Sequence, residues 1–147
     1  MKLEFFEAFQ DPYLQNNDGR GVFLCGIVLG MVARGQAGKG NPVDSAPMFK
    51  QLNFGKVQRR DLLKHMARIP ELVRVYKLDY AGMIESLCAR SGELLLQGEH
   101  REPGIDGNFA FSIAFLNAPD YFFKKIFPKK EEEEKTESSM NSLKEGN

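Results

Sequence analysis

Residues 21–36, GVFLCGIVLGMVARGQ, decide the fold. Residues 21–33 of this stretch carry no charge. Thirteen residues are too few for the ~20 that a membrane-spanning helix needs. The spacing predicts a helix over 20–36 that is apolar nearly all round, and such a helix belongs in the middle of a core. Asn16-Asn17-Asp18-Gly19 just before it is a turn and N-cap signal. Gly26 and Gly30 form a GxxxG pair. In a membrane that spacing promotes dimerisation; in a soluble core it lets a second helix pack closely.

Outward from this helix, the chain reads as further helices joined by short connections. Residues 2–10 place Leu3, Phe5, Phe6 and Phe9 on one helical side, ending near Asp11-Pro12. Residues 37–47, AGKGNPVDSAP, carry the composition of an exposed loop. A short element over 47–52 precedes the turn Asn53-Phe54-Gly55. Helical periodicity returns from Lys56, with Leu62, Met66, Ile69 and Val73 on one face. Pro70 removes a backbone donor and is expected to kink or restart that helix. Asp79 is placed to cap the next helix, which runs to about Gln97 through Met83, Ile84, Leu87, Leu94 and Leu95.

Residues 98–107, GEHREPGIDG, read as a loop, and a phenylalanine-rich helix begins near Asn108 and is interrupted by Pro119. No alternating strand and no internal repeat is evident. The expectation is an all-α fold, a compact bundle of five or six helices over 1–128. A charged, mobile tail over 129–147 follows it.

The chain has 147 residues, 42% of them hydrophobic and 12 of them Phe, enough for one globular domain without disulfides or metal. Cys25 and Cys88 have no CxxC partner, so no metal or cofactor is expected and both read as reduced thiols of a cytoplasmic protein. The N-terminus, MKLEFFEAFQDPY, lacks the apolar core of a signal peptide.

Twenty Lys and Arg against twenty Asp and Glu give a net charge of zero, which on its face speaks against a nucleic-acid partner. The charge is unevenly spread, however. Residues 20–77 hold 11 basic and 3 acidic side chains, whereas residues 79–120 hold 2 basic and 7 acidic. The tail from Lys129 has 4 basic and 6 acidic. Zero net charge therefore reads as two opposed faces, one for phosphate and one for protein.

Within the basic half, Lys56, Arg60, Lys64 and Arg68 recur every four residues. Like charges at that spacing each cost a helix a few tenths of a kcal/mol unless an anion lies across them. Arg59 flanks this stripe, Lys50, Arg74 and Lys77 lie near its ends, and Arg34 and Lys39 bracket the exit of the apolar helix. Such a surface tracks phosphates without reading sequence. The bland reading is a solvated helix face, with Asp61 pairing Lys64 and Glu71 pairing Arg68. The candidate nucleic-acid-binding residues are Arg34, Lys39, Lys50, Lys56, Arg59, Arg60, Lys64 and Arg68.

Catalytic signals are weak. His65 lies within the basic helix and His100 in the 98–107 loop, neither with a nucleophile at a recognisable spacing. Residues 33–40, ARGQAGKG, superficially resemble a phosphate loop. Ala33 stands where the first Gly belongs, Gly40 where Ser or Thr binds magnesium, and a helix rather than a strand precedes it. A non-catalytic protein is expected.

Three segments carry a family resemblance: GVFLCGIVLGMVARGQ at 21–36, SAPMFKQLNFGKVQRRDLLKHM at 45–66 and NFAFSIAFLNAPDYFF at 108–123. Their order resembles the C-terminal helical region of the large subunit of type I-B CRISPR effector complexes. There an apolar helix ends in Gln, a loop leads to a Pro-x-hydrophobic element, a basic helix follows and a Phe-rich helix closes the domain. The resemblance covers about residues 1–127; the acidic tail has no counterpart.

A chain of this length beginning at Met1 resembles the small subunit of such a complex, which in related systems is made from an internal start in the large-subunit gene. The resemblance implies a non-catalytic role, with several copies lining an RNA-guided complex and helping to hold the R-loop open. Sequence is read there by base pairing. The implied partners are guide RNA, target and non-target DNA, the large and backbone subunits and further copies of itself, with no membrane. No family motif carries over to single residues, so the site rests on the charge pattern. The rival reading is a helical adaptor whose basic face docks an acidic protein.

Overall fold

Asn16 sets where the central helix begins. Its backbone is extended (φ −108°, ψ 162°), and its Oδ1 accepts the Gly19 N–H at 2.8 Å. This satisfies one of the free donors in the first helical turn. Helix α1 (Asn17–Ala37) follows, starting slightly before the expected residue 20. It is the axis of the molecule: every residue from 21 to 30 is buried.

The computed structural model describes residues 1–129, and every regular element in it is helical. After α1 come α2 (Pro47–Gln51), α3 (Arg59–Ala67), α4 (Ile69–Val75), α5 (Ala81–Gln97), α6 (Gly104–Leu116) and α7 (Ala118–Asp120). Three 3-10 turns, Glu4–Ala8, Pro12–Gln15 and Val43–Ser45, and a π-helical turn, Tyr121–Ile126, complete the described chain. The all-α expectation holds; the tail expected to be mobile lies, from residue 130, outside the described residues.

Two long helices, α5 and α6, pack on α1. Gly26 and Gly30 are what bring α6 so close. A Cβ at Gly26 would stand 2.7 Å from the Phe111 carbonyl oxygen, and one at Gly30 would stand 2.8 Å from the Phe115 carbonyl oxygen. The GxxxG pair thus serves helix packing. Against α5, the Cys25 Sγ lies 2.9 Å from the Ser91 Oγ, and the Ser91 hydroxyl donates to the Gly21 carbonyl at 3.3 Å.

The core around these helices is aromatic: Phe6, Phe23, Phe111, Phe115 and Phe122 are fully buried. The N-terminal segment is a 3-10 turn that drops Phe6 into this core, and the Lys2 N–H donates to the Ile126 carbonyl at 2.9 Å. Both chain segments therefore close over the same end of the bundle.

Three expected boundaries move. The basic helix expected from Lys56 starts at Arg59 and stops at Ala67, and α4 restarts beyond Arg68 with Pro70 in its first turn. Tyr80, in the left-handed region at φ 63°, takes the N-cap position of α5 expected for Asp79. Gly104, at φ 64°, opens α6 ahead of Asn108, because a glycine adopts that backbone without steric cost. Among the described residues no helix is long and apolar enough to cross a membrane.

Candidate nucleic-acid interface

The entry to α3 is held from a distance. Val57 is buried and donates its N–H to the Asn108 Oδ1 at 2.8 Å, while the Asn108 Nδ2 donates to the Gly55 carbonyl at 2.9 Å. Asn108 thereby pairs both a donor and an acceptor of the non-helical segment leading into α3. Lys56, between those two anchors, is exposed. It precedes the helix, so the four-residue repeat is not one continuous stripe. Arg60 and Lys64 alone share α3 at that spacing, about 6 Å apart along its axis. Arg68 sits at the α3–α4 junction.

The side chains differ in how free they are. Arg59 is half-buried: its N–H donates to the Glu102 Oε2 at 3.1 Å and its guanidinium to the Leu95 carbonyl at 3.3 Å. Arg60 is 81% exposed, lies 3.6 Å from Asp61 and donates to the Gln58 Oε1 at 3.1 Å. Asp61 therefore pairs with Arg60 rather than with the expected Lys64. Lys64 and Arg68 are exposed, and the Arg68 guanidinium reaches the Gln51 Oε1 of α2 at 3.5 Å.

Two open grooves run along this surface. Arg59, Arg60, Leu63, Lys64, His100 and Glu102 line one of about 630 Å³. Lys56, Arg60, Glu102 and Asn108 are among the residues lining the other, of about 410 Å³. The grooves share Arg60 and Glu102, so Lys56, Arg59, Arg60 and Lys64 form one continuous basic border. Chemically, such a border holds anionic oxygens by screened attraction and multiple N–H donors.

The remaining candidates lie elsewhere. Arg34 is spent on packing: Nη1 donates to the carbonyls of Gly30 and Phe115 at 2.9 Å each, and Nη2 to that of Leu116 at 3.0 Å. Burial lowers its pKa. The Phe115 and Leu116 contacts are at the C-terminal end of α6, about 10 Å along the helix from Asn108. Lys39 is exposed in the loop after α1, between Gly38 and Gly40, both at φ 84°. Lys50 is exposed on α2, next to the Gln51 that Arg68 contacts. The glycine-rich loop ends a helix, with the Asn41 Nδ2 donating to the Ala37 carbonyl at 2.8 Å.

His100 enters the site unforeseen as a groove residue. It adopts φ 60° and its Nε2 lies 2.9 Å from the Leu96 carbonyl. Nothing local in GEHREPG announces that this loop abuts α3, since the contact spans about forty residues of sequence. His65 lines a separate small recess with Lys56 and Asp61; burial lowers its pKa, opposed by the Asp61 carboxylate. Among the described residues no group of three or more His, Cys, Asp and Glu is placed to hold a metal.

Opposed faces are not what results around residue 102. A cavity of about 530 Å³ includes Tyr13, Asp18, Glu99, Glu102 and Asp106 in its lining, and Glu102 also borders the basic grooves. Acidic and basic surfaces adjoin there because α3 and the 98–103 loop pack side by side. Arg101, paired with Glu99, belongs to the acidic side of that border.

Residues 2–135 match the family described as the CRISPR-associated protein TM1802 (cas_TM1802) C-terminal domain. No curated protein and no solved structure matches the chain.

Proposed function

The chain belongs to this CRISPR-associated family, and from that premise we propose that it is a non-catalytic small subunit of a type I, RNA-guided surveillance complex in the cytoplasm. It binds nucleic-acid backbone without reading sequence and stabilises the R-loop. The observation that carries this reading is the continuous border of Lys56, Arg59, Arg60 and Lys64 along two open grooves. Arg68 extends it toward α2, where Lys50 is exposed. Guide RNA, target and non-target DNA, the large and backbone subunits and further copies of this chain are the partners of such a subunit. Base pairing with the guide supplies specificity there, which leaves charge as this subunit's contribution. Glu102 and Asp61 temper the basic surface, so tight binding belongs to the assembly rather than to the isolated chain.

The test is the triple variant Arg60→Ala, Lys64→Ala, Arg68→Ala in the assembled complex. DNA binding weakens and its salt dependence becomes shallower, because fewer counterions are released. An R-loop as stable as that of the unmodified complex overturns the site. Failure of the chain to co-purify with guide RNA overturns the subunit role. Binding to an acidic protein that is indifferent to single-stranded DNA or RNA competitor supports the adaptor reading instead.

A further inference from the structure

Helix α6 leaves an apolar stripe uncovered. Its sequence, GIDGNFAFSIAFL, is apolar on nearly every side. Gly107, Ala110, Phe111, Ala114 and Phe115 are buried. On the other side Ile105, Phe109, Ile113 and Leu116 are 77%, 67%, 46% and 63% exposed. Their spacings of four, four and three cover about three turns, so the stripe runs nearly parallel to the helix axis. It is about 16 Å long. Side chains of this size at these exposures present roughly 500 Å² of apolar surface, toward the upper end of what a monomer leaves in one patch.

We propose that this stripe is a two-fold interface between copies of this chain, with α6 of one protomer lying antiparallel across α6 of the other. The inference rests on the proposed function in that further copies of this chain are among its partners. It concerns a different surface from the one around α3, so loss of the pair leaves the R-loop test untouched. Three features single out a second copy as the occupant. Two such faces together remove about 1,000 Å² from water, the lower bound for a specific interface. The surface is self-complementary: Phe109 meets Ile113 of the second copy and Ile105 meets its Leu116, so one patch suffices and the pair closes on itself.

The third feature is charge. Asp106 is the one ionisable side chain in α6. The antiparallel arrangement sends the two Asp106 carboxylates to opposite ends, about 14 Å apart along the helices and beyond a Debye length of ~10 Å. A parallel pairing sets them side by side. The antiparallel direction therefore follows from the sequence of the stripe itself.

Sedimentation equilibrium of the full chain over about 1–100 µM tests the proposal, a range that spans micromolar dissociation constants. The expected result is a monomer–dimer equilibrium. Phe109→Asp and Ile113→Asp each weaken it at least ~10-fold with an unchanged far-UV spectrum, because both side chains are exposed and their loss leaves the core intact. Leu96→Asp, at a comparably exposed apolar position on α5, leaves it unchanged. An equimolar mixture of the Phe109→Cys and Ile113→Cys chains forms a mixed disulfide on mild oxidation faster than either chain joins to itself. The antiparallel register sets 109 against 113, whereas a parallel one sets each position against its own copy. A chain that stays monomeric across the range overturns the proposal, as does a dimer that persists in both aspartate variants. A dimer in which each cysteine chain joins to itself rather than to the other overturns the antiparallel arrangement.

Discussion

The guanidinium of Arg34 donates to the carbonyl of Phe115 at 2.9 Å and lies 5.8 Å from the centre of that residue's ring. The same fork reaches Leu116 and the Gly30 carbonyl one turn back on α1. A cation at the end of a helix complements the negative pole of its dipole and supplies donors to carbonyls in its last turn. Arg34 therefore ties the middle of the molecule to the end of α6.

Replacing Arg34 with Ala is expected to lower stability by about 2 kcal/mol, the range for a charge-assisted hydrogen-bond set that remains partly solvated. Lysine retains the charge but not the planar fork, so Arg34→Lys restores less than half of the loss. Urea unfolding of the three proteins checks both values. DNA affinity of the assembled complex stays the same in Arg34→Lys, because the guanidinium faces carbonyls rather than the basic grooves.

Asn108 pairs two backbone groups of the segment that leads into α3. Asn108→Ala unpairs both and is expected to cost about 1–2 kcal/mol. Asn108→Asp keeps the acceptor for the Val57 N–H, loses the donor to Gly55, and falls between the two. Amide hydrogen exchange at Val57 reports the effect directly: fast in the alanine variant, slow in the aspartate variant. Equal protection in all three proteins would show that Asn108 does not hold this segment.

Burial pushes the Cys25 thiol up to about 12, with the Ser91 hydroxyl pulling the other way. Burial, aided by the Glu85 carboxylate, pushes Cys88 up to about 11. Unfolded thiols titrate near ~8.5. The folded state therefore keeps protons that the unfolded state releases. The stabilisation is complete below about pH 8.5 and declines as pH rises toward these folded values. The unfolding midpoint is expected to be insensitive to these thiols near neutrality and to fall in the alkaline range, less so in Cys25→Ala. At about pH 8 a thiol reagent labels Cys88 slowly and Cys25 only upon unfolding.

Local pattern carried much of the fold. The apolar run of α1, its Asn16 cap and the restart at Pro70 all depend on residues close in sequence, and each is present; the GxxxG spacing is equally local, although the helix it admits is distant in sequence. The basic surface was legible as composition but not as geometry. Lys56 falls outside α3 because Asn108, 51 residues away, pairs with Val57. Arg34 carries the same charge as Arg60, yet its donors are taken by carbonyls more than 80 residues ahead. His100 and Glu102 reach the grooves through packing of a loop whose own sequence has no basic pattern. Long-range pairing of this kind leaves no periodic trace.

Gly26 and Gly30 bring the backbones of α1 and α6 into direct contact. On its outer side α6 carries the apolar stripe, and near its start it carries Asn108. An added methyl at either glycine must shift α6 as a body, since the obstructing atoms are backbone oxygens and Cβ atoms with no freedom to rotate away. That shift moves the seat of the basic segment and the stripe together. Two deeply buried positions thus act as a common gauge for both outer surfaces. A substitution far from any partner would change the spacing at which partners are met, and neither surface can be retuned without the other registering it.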